Sequence, residues 1–307
     1  MDEIYDVMIL GAGAAGLAAG IYSSRAKLNT LILNEGAIGG QMVLTNEIAN
    51  YPGVETTNGF VVANTMKKQA KDFGCKIKSN LKIIDYNLDG SVKNVKLEDG
   101  REFNAYSVIL APGGRPRSLN IPGENDFKGT GISYCATCDG EFFTDKELIV
   151  VGGGNSALEE AVSLTKYATK VTIVHQFDRF QAFEHAIQEA KSNPKINFIM
   201  ESELRGFHGN GKLNQVSIEH LPSEKRNEMK VDGVFIFAGY LPNTESLHGH
   251  IQLNDRNEIV VDADMKTNIP GVFAAGDCIA KRYRQVTTAV AEGTIAALSA
   301  AEFLRSN

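Results

Sequence analysis

The sequence predicts an α/β protein of two nucleotide-binding domains, with the second inserted into the first. Three observations carry that expectation. A short apolar strand runs into a glycine-rich turn twice, at "VMILGAGAAG" and at "LIVVGGGNSA". Between them, residues 81–110 alternate apolar and polar side chains around "NLDG" and "LEDGRE", the pattern of a β-meander. A further strand, "NIPGVFAAGDC", comes late in the chain and ends in Gly-Asp before a long helix of small residues.

The bulk numbers agree. A chain of 307 residues is long for one core and comfortable for two. Hydrophobic content of 43% and charge of 22% are ordinary for a soluble globular protein. A net charge of −6 argues against nucleic acid or an anionic membrane as the main partner. The start, "MDEIYDVMIL", is acidic and enters a strand at once, unlike a signal peptide. No apolar run approaches the roughly 18 residues that span a bilayer. A cytoplasmic protein with no membrane partner is expected.

The first turn opens a βαβ unit. Gly11 permits the sharp turn, Gly13 lets backbone approach a pyrophosphate, and Gly16 lets helix pack on strand. Ala14 and Ala15 begin a helix whose free N–H groups and partial positive charge suit phosphates. Glu35, at the end of "TLILNE", can accept hydrogen bonds from ribose hydroxyls. The plainer alternative is a tight βα turn and nothing more. Gly152, Gly154 and Ala157 hold the corresponding places in the second turn. Gly/Pro-rich crossings at "VILAPGGRPRSLNIPG" and "DGVFIFAGYLPNTESL" suggest a split first domain, 1–115 and 245–307, with 116–244 inserted. Both are expected to be Rossmann-like, three-layer ββα domains.

Two further stretches carry chemistry. In "GDCIAKRYRQV", Asp277 at a strand end suits the ribityl or phosphate part of a flavin dinucleotide. A helix starting near Gln285 would aim its positive end at the flavin pyrimidine, where reduction leaves negative charge. The alternative is a capped helix with an exposed basic loop. In "SYCATCDG", Cys135 and Cys138 are spaced to close a small disulfide, and Asp139 can shuttle the proton that thiol–disulfide exchange requires. A zinc half-site is the competing reading. The chain has no second C-x-x-C and no histidine of ligand spacing nearby, so no metal is expected. Cys75 and Cys278 stand alone and read as small core residues.

"GAGAAGLAAGIYSSRA", "GGQM…NEIANYPG", "CATCDG", "VVGGGNSALEEA", "PGVFAAGDC" and "YRQVTTAVAEG" together resemble the low-molecular-weight thioredoxin reductases, in order and spacing, over essentially the whole chain. The resemblance implies a homodimer with FAD in the split domain and a C-x-x-C that passes electrons to a thioredoxin disulfide. It implies that Cys138 faces the flavin, that Cys135 attacks thioredoxin and that Asp139 is the acid/base. Gly39, Gly40, Gln41 and Asn50 would line FAD, joined by Asp277, Arg284, Gln285 and Val286. In the family the inserted domain rotates to present the cysteine pair to flavin and thioredoxin in turn.

One stretch departs from that pattern. NADPH-dependent members carry a motif resembling H-R-R-x-x-x-R after the second strand of the inserted domain. Here the register reads His175-Gln176-Phe177-Asp178-Arg179-Phe180-Gln181, and the arginine positions hold Gln176, Phe177 and Gln181. NADH would want an acid where His175 stands. Its case rests on the intact turn at Gly152, Gly154 and Ala157, which otherwise serves only helix–strand packing. A group of flavin thioredoxin reductases lacks the arginines in this way and takes electrons from reduced ferredoxin. The expectation is therefore a ferredoxin-dependent enzyme with a vestigial second turn, NADH being the alternative donor. Lys281, Arg282 and Arg284, or Lys67, Lys68 and Lys71, are candidates to dock an acidic ferredoxin, unless they are merely solvated faces. A non-catalytic flavin redox sensor is the alternative of another class. A ferredoxin–NADP reductase is disfavoured by the C-x-x-C and by the missing NADP contacts.

Overall fold

The structure is a computed structural model and describes residues 3–44, 48 and 50–306, without the side chains of Leu44, Thr137 and Cys138. In chain order, β1 (Ile4–Leu10), α1 (Ala14–Arg25) and β2 (Thr30–Asn34) form the first βαβ start, and α2 (Gly59–Asp72) leads to β3 (Lys76–Ser79). Then come β4 (Ile83–Asn87), β5 (Lys93–Leu97), β6 (Glu102–Leu110) and β7 (Gly114–Pro116). The insert holds β8 (Ile132–Ser133), α3 (Ala136–Asp139), β9 (Glu147–Val151), α4 (Asn155–Leu164), β10 (Lys170–Val174) and α5 (Glu184–Ser192). It continues through β11 (Ile196–Ile199), β12 (Ser202–Gly209), β13 (Leu213–His220), β14 (Lys225–Lys230) and β15 (Gly233–Ile236). The chain ends with β16 (Tyr240–Pro242), β17 (Val272–Ala274) and α6 (Val286–Ser306).

Two compact units result, Met1–Arg115 with Leu241–Asn307, and Pro116–Tyr240. The insert closes at Tyr240, where the sequence expectation carried it to 244. Asn243 is tied to the first unit by hydrogen bonds to the Gly113 and Pro112 carbonyls, each 3.0 Å. The short strands β7 and β16, at the two crossings, pair with each other.

In the first unit β3, β2, β1 and β6 lie side by side and parallel. β6 divides its far edge between two partners. Its first half pairs antiparallel with β5, and β5 with β4, which makes the meander. Its second half takes β17 in parallel. The register aligns Leu10 with Leu110 and Leu110 with Ala274, so three strands end at one edge. Parallel strands need cover on both faces. One face is packed by α1, α2 and α6, through Leu17, Ala18, Ala63, Ala296 and Ala297 among others. The other face packs Leu31, Leu33, Val95, Leu97 and Ile259.

The insert repeats the plan. Its sheet runs β11-β10-β9-β15-β8, parallel throughout. On one face Leu158, Ala161 and Leu164 of α4 meet Val150, Ile173 and Phe235. On the other, Phe207, Val216 and Ile218 of the antiparallel sheet β12-β13-β14 meet Ile149, Val174 and Val234. Each unit is a Rossmann-type α/β domain, and in the insert sheet, sheet and helix form three layers. Among the described residues no helix is long and apolar enough to cross a membrane.

The α1–α6 contact depends on small residues. A Cβ at Gly293 would overlap the backbone carbonyl of Ala15. Replacing a helix-interior glycine by alanine ordinarily stabilises by about 0.5–1 kcal/mol. In Gly293→Ala the backbone clash outweighs that gain, and we expect a net loss of about 1–3 kcal/mol in denaturant unfolding followed by circular dichroism. A variant as stable as the parent, or more so, would show that the helices part without cost.

Candidate active site

The strand ends of the first unit gather most of the expected cofactor residues. Gly11 turns sharply at φ +110°, and a Cβ there would overlap the Ala111 carbonyl. Gly13 is the N-cap of α1. No side chain caps it, no acid lies in the first turn of Ala14, Ala15 and Gly16, and a Cβ on Gly13 would meet nothing within 4 Å. The Gly39 N–H donates to the Ala12 carbonyl at 2.7 Å, bringing Gly40 against Gly13. Gln41 follows, exposed. Glu35 leaves the end of β2 exposed and accepts the Ile83 amide at 2.9 Å. After β17, Gly276 packs on Ala15 and sets Asp277 beside the same turn. The Asn50 side-chain amide donates to Gln285 at 3.3 Å, one residue before α6 begins at Val286.

Of the basic run after Asp277, Arg282 is exposed and Lys281 and Arg284 are not. Lys281 lies between Asp277 at 2.9 Å and Glu292 at 2.8 Å, with its side chain only 10% exposed. Burial pushes the Glu292 carboxyl above its ordinary pKa, against the pull of Lys281. Arg284 is paired with the buried Glu258. The sequence expectation that Lys281 and Arg284 offer free charge to an acidic protein is therefore corrected: their own carboxylates claim them. Glu292 comes from inside α6 and Glu258 from ahead of β17, so neither partner is visible in "KRYRQ".

In the insert, "SYCATCDG" leaves the end of β8, an edge strand paired with β15, and enters α3. Cys135 is half-buried and disulfide-bonded. The Cys138 side chain lies outside the described residues. Asp139 is half-buried, and its Oδ2 accepts the Ser133 hydroxyl at 2.6 Å. Just before the pair, the Tyr134 hydroxyl donates to the buried Glu124 at 2.6 Å. Glu124 also accepts the amides of Leu119 and Asn120. Burial, then Glu124, raise the Tyr134 pKa well above its usual range. Sequence reasoning passed over Ser133 and Glu124. A serine two residues ahead of the C-x-x-C was the only local signal for either.

The second glycine turn sits at the same sheet edge, after β9. Gly152 has φ +136° and backs onto the Phe237 carbonyl, while Ala157 is fully buried. Gly154 caps α4 with no side chain over it and no acid in the first turn. The following loop folds onto this turn. Gln181 donates its amide to Gly153 at 2.8 Å, and Phe183 donates to Asn155 at 2.7 Å. The His175 ring fills the space a Cβ on Gly153 would need. It stacks on Phe180 at 5.6 Å, meets Phe177 edge-on at 5.4 Å, and its Nε2 lies 3.1 Å from the Arg179 carbonyl. Gln176, Phe177, Asp178, Arg179 and Gln181 are exposed.

The sequence profile of the pyridine nucleotide-disulphide oxidoreductases matches residues 5–293. The chain belongs to the pyridine nucleotide-disulphide oxidoreductase family. It is 43% identical to a thioredoxin reductase of Peptoclostridium acidaminophilum, over 100% of this chain and 99% of the relative. Among solved structures it resembles a thioredoxin reductase from Streptococcus pyogenes, with 38% identity, a TM-score of 0.86 and full coverage of both chains. It also resembles a ferredoxin-flavin thioredoxin reductase from Clostridium acetobutylicum, with 28% identity, a TM-score of 0.54 and full coverage of both.

FAD is the cofactor of the family's thioredoxin reductases, and the first unit fits it. The bare N-terminus of α1, the open space over Gly13 and the neighbouring Asp277 offer a diphosphate and a polyol the partners they need. Among the described residues no three His, Cys, Asp or Glu side chains cluster to hold a metal. Burial pushes the Cys75 thiol up to about 11 and the Cys278 thiol up to about 12, which leaves both unreactive at neutral pH.

Burial also lowers the His175 pKa below its ordinary 6.5, the Arg179 carbonyl opposing this more weakly. The folded chain thus keeps the ring neutral at a pH where the unfolded chain already protonates it. This contribution to stability is intact above about pH 6.5 and is lost as pH falls through the lowered value. His175→Phe keeps a ring against Gly153 without a titrating nitrogen. Denaturant unfolding between about pH 7 and pH 5 should show a shallower decline in this variant than in the parent. Equal slopes would sink the assignment.

Proposed function

We propose that the chain is a thioredoxin-disulfide reductase whose FAD is reduced by ferredoxin, with strong use of NADPH lost. The observation that carries the donor assignment is the loop after β10. Gln176, Phe177 and Gln181 stand exposed where the NADPH-dependent pattern has arginines, and Arg179 is the one arginine in the run. A 2′-phosphate carries nearly two charges, and each charge-assisted contact to it contributes about 1.5–3 kcal/mol. Three missing contacts lower affinity by orders of magnitude. The Clostridium acetobutylicum protein supplies a relative of the same fold whose name includes ferredoxin. With Lys281 and Arg284 held in ion pairs, the remaining docking candidates are the exposed Arg282 and α2, where Lys67 and Lys71 accompany the Lys68–Asp72 pair.

Held at the N-terminus of α1 by the Gly11–Gly16 turn and Asp277, FAD would supply the two electrons that open the Cys135–Cys138 disulfide. The dithiol so formed reduces thioredoxin: Cys135 attacks one sulfur of its disulfide, and Cys138 then displaces the mixed disulfide. Asp139 is the proton acceptor and donor for these steps, at the carboxylate beside Ser133. NADH is the second reading, and the uncapped N-terminus of α4 after Gly152 and Gly154 favours it. A homodimer belongs to the same proposal. Ile295 and Leu298 of α6 are exposed apolar residues of the kind a second copy covers, and a monomer in sedimentation at micromolar concentration would overturn it.

Anaerobic oxidised holoenzyme mixed with NADPH, NADH or reduced ferredoxin tests the donor through bleaching of the flavin absorbance. Rapid bleaching by ferredoxin and slow bleaching by NADPH are expected. Rapid bleaching by micromolar NADPH would overturn the proposal, and bleaching by NADH alone would select the second reading. Cys138→Ser should keep flavin reduction and abolish turnover of thioredoxin. If thioredoxin is still reduced, the dithiol assignment falls.

A further inference from the structure

We propose that Ser133 is a positioning residue for the dithiol chemistry, one hydroxyl holding both the Asp139 carboxylate and the Cys135 amide. Ser133 is the last residue of β8, pinned opposite Phe235 in the sheet, and is 4% exposed. Its Oγ lies 2.6 Å from Asp139 Oδ2, and the Cys135 N–H donates to the same Oγ at 3.1 Å. The Cys135 carbonyl is 3.3 Å from Oγ and accepts the Asp139 amide at 3.1 Å. A hydroxyl has one proton, and the short contact to the carboxylate takes it, leaving the oxygen lone pairs for the Cys135 amide. The serine therefore ties the first cysteine of the turn to the acid that closes it. It does so from a sheet strand rather than from the turn itself.

The consequence concerns proton placement and rests on the proposed thioredoxin reductase reading. When the Cys135 thiolate attacks the target disulfide, one S–S bond breaks, a mixed disulfide forms, and the departing thiolate takes a proton. When Cys138 attacks the mixed disulfide, it gives up its proton, Cys135–Cys138 closes, and the second target sulfur leaves. Two electrons and two protons pass from the enzyme to the target. Asp139 can serve both transfers only from one fixed orientation, and with Ser133 gone its side chain has another rotamer to occupy.

The test uses holoenzyme reduced anaerobically with stoichiometric dithionite, so the physiological donor plays no part. Single-turnover exchange is followed with thioredoxin and, separately, with the small aromatic disulfide 5,5′-dithiobis(2-nitrobenzoate). Ser133→Ala should slow exchange by about tenfold, the size of one charge-assisted hydrogen bond, without changing the thioredoxin concentration that half-saturates the single-turnover rate. Ser133→Thr should restore most of the rate. Ser133→Val, of the same shape without the hydroxyl, should not, and this pair decides the matter if the alanine variant folds poorly. Ser133→Ala placed on Asp139→Asn should add no further loss, because both act through one carboxylate. Full activity in Ser133→Val, or losses that multiply in the double variant, would overturn the proposal. If the parent exchanges with the aromatic disulfide and not with thioredoxin, the substrate reading fails while Ser133 is judged on the first. If it exchanges with neither, both fall.

Discussion

The register of parallel strands is the constraint on which the rest of the molecule depends. Leu10, Leu110 and Ala274 are aligned across β1, β6 and β17, and Val174, Val151 and Ile236 across β10, β9 and β15. Because parallel strands all end on the same side, whatever follows them is delivered to one edge. In the first unit that edge receives Gly11, Ala111 and Asp277. In the second it receives the Gly152 turn, His175 and, through β8, the cysteine pair. A slip of one residue in any of these pairings would exchange the side chains packed on the two covered faces as well as misplace a loop, so the core enforces the site.

Charge is handled differently at the two edges. Around Asp277 the structure packs Lys281, Glu292, Arg284 and Glu258 into two nearly buried ion-pair groups. Such groups stabilise a fold little beyond their desolvation cost, but removing one member leaves an uncompensated buried charge, so they fix geometry strongly. At the dithiol turn the carboxylate of Asp139 follows the cysteine pair directly. It is held by a neutral hydroxyl, an arrangement that fixes its position without neutralising it. The first pattern balances charge in place, and the second leaves a carboxylate held by one hydroxyl.

The loop after β10 shows how a binding turn and its surroundings can diverge. Gly152, Gly154 and the bare helix end keep the features of an anion site. The His175 ring and the Gln181 backbone amide nevertheless use part of that turn for the protein's own packing, and the exposed side chains beyond it hold a single arginine, Arg179, among amide, aromatic and acidic groups. A phosphate-rich ligand would find backbone dipoles here and little fixed positive charge.

Both glycine turns, the meander, the return strand and the C-x-x-C were legible in the sequence, because each depends on residues adjacent in the chain. A strand that must turn without a Cβ declares itself locally, as Gly11 and Gly152 do. Ser133, Glu124, Glu258 and Glu292 were not legible, and neither was the loss of Lys281 and Arg284 as free charge. Ser133 matters through its height on β8, which only pairing with β15 sets, and Glu292 matters because α6 packs back over Gly276. Sequence by itself determined which chemical groups the protein has and which turns present them. The tertiary structure decided which charges are already spent on one another, since a charge's partner is set by packing across distant segments and not by its neighbours in the chain.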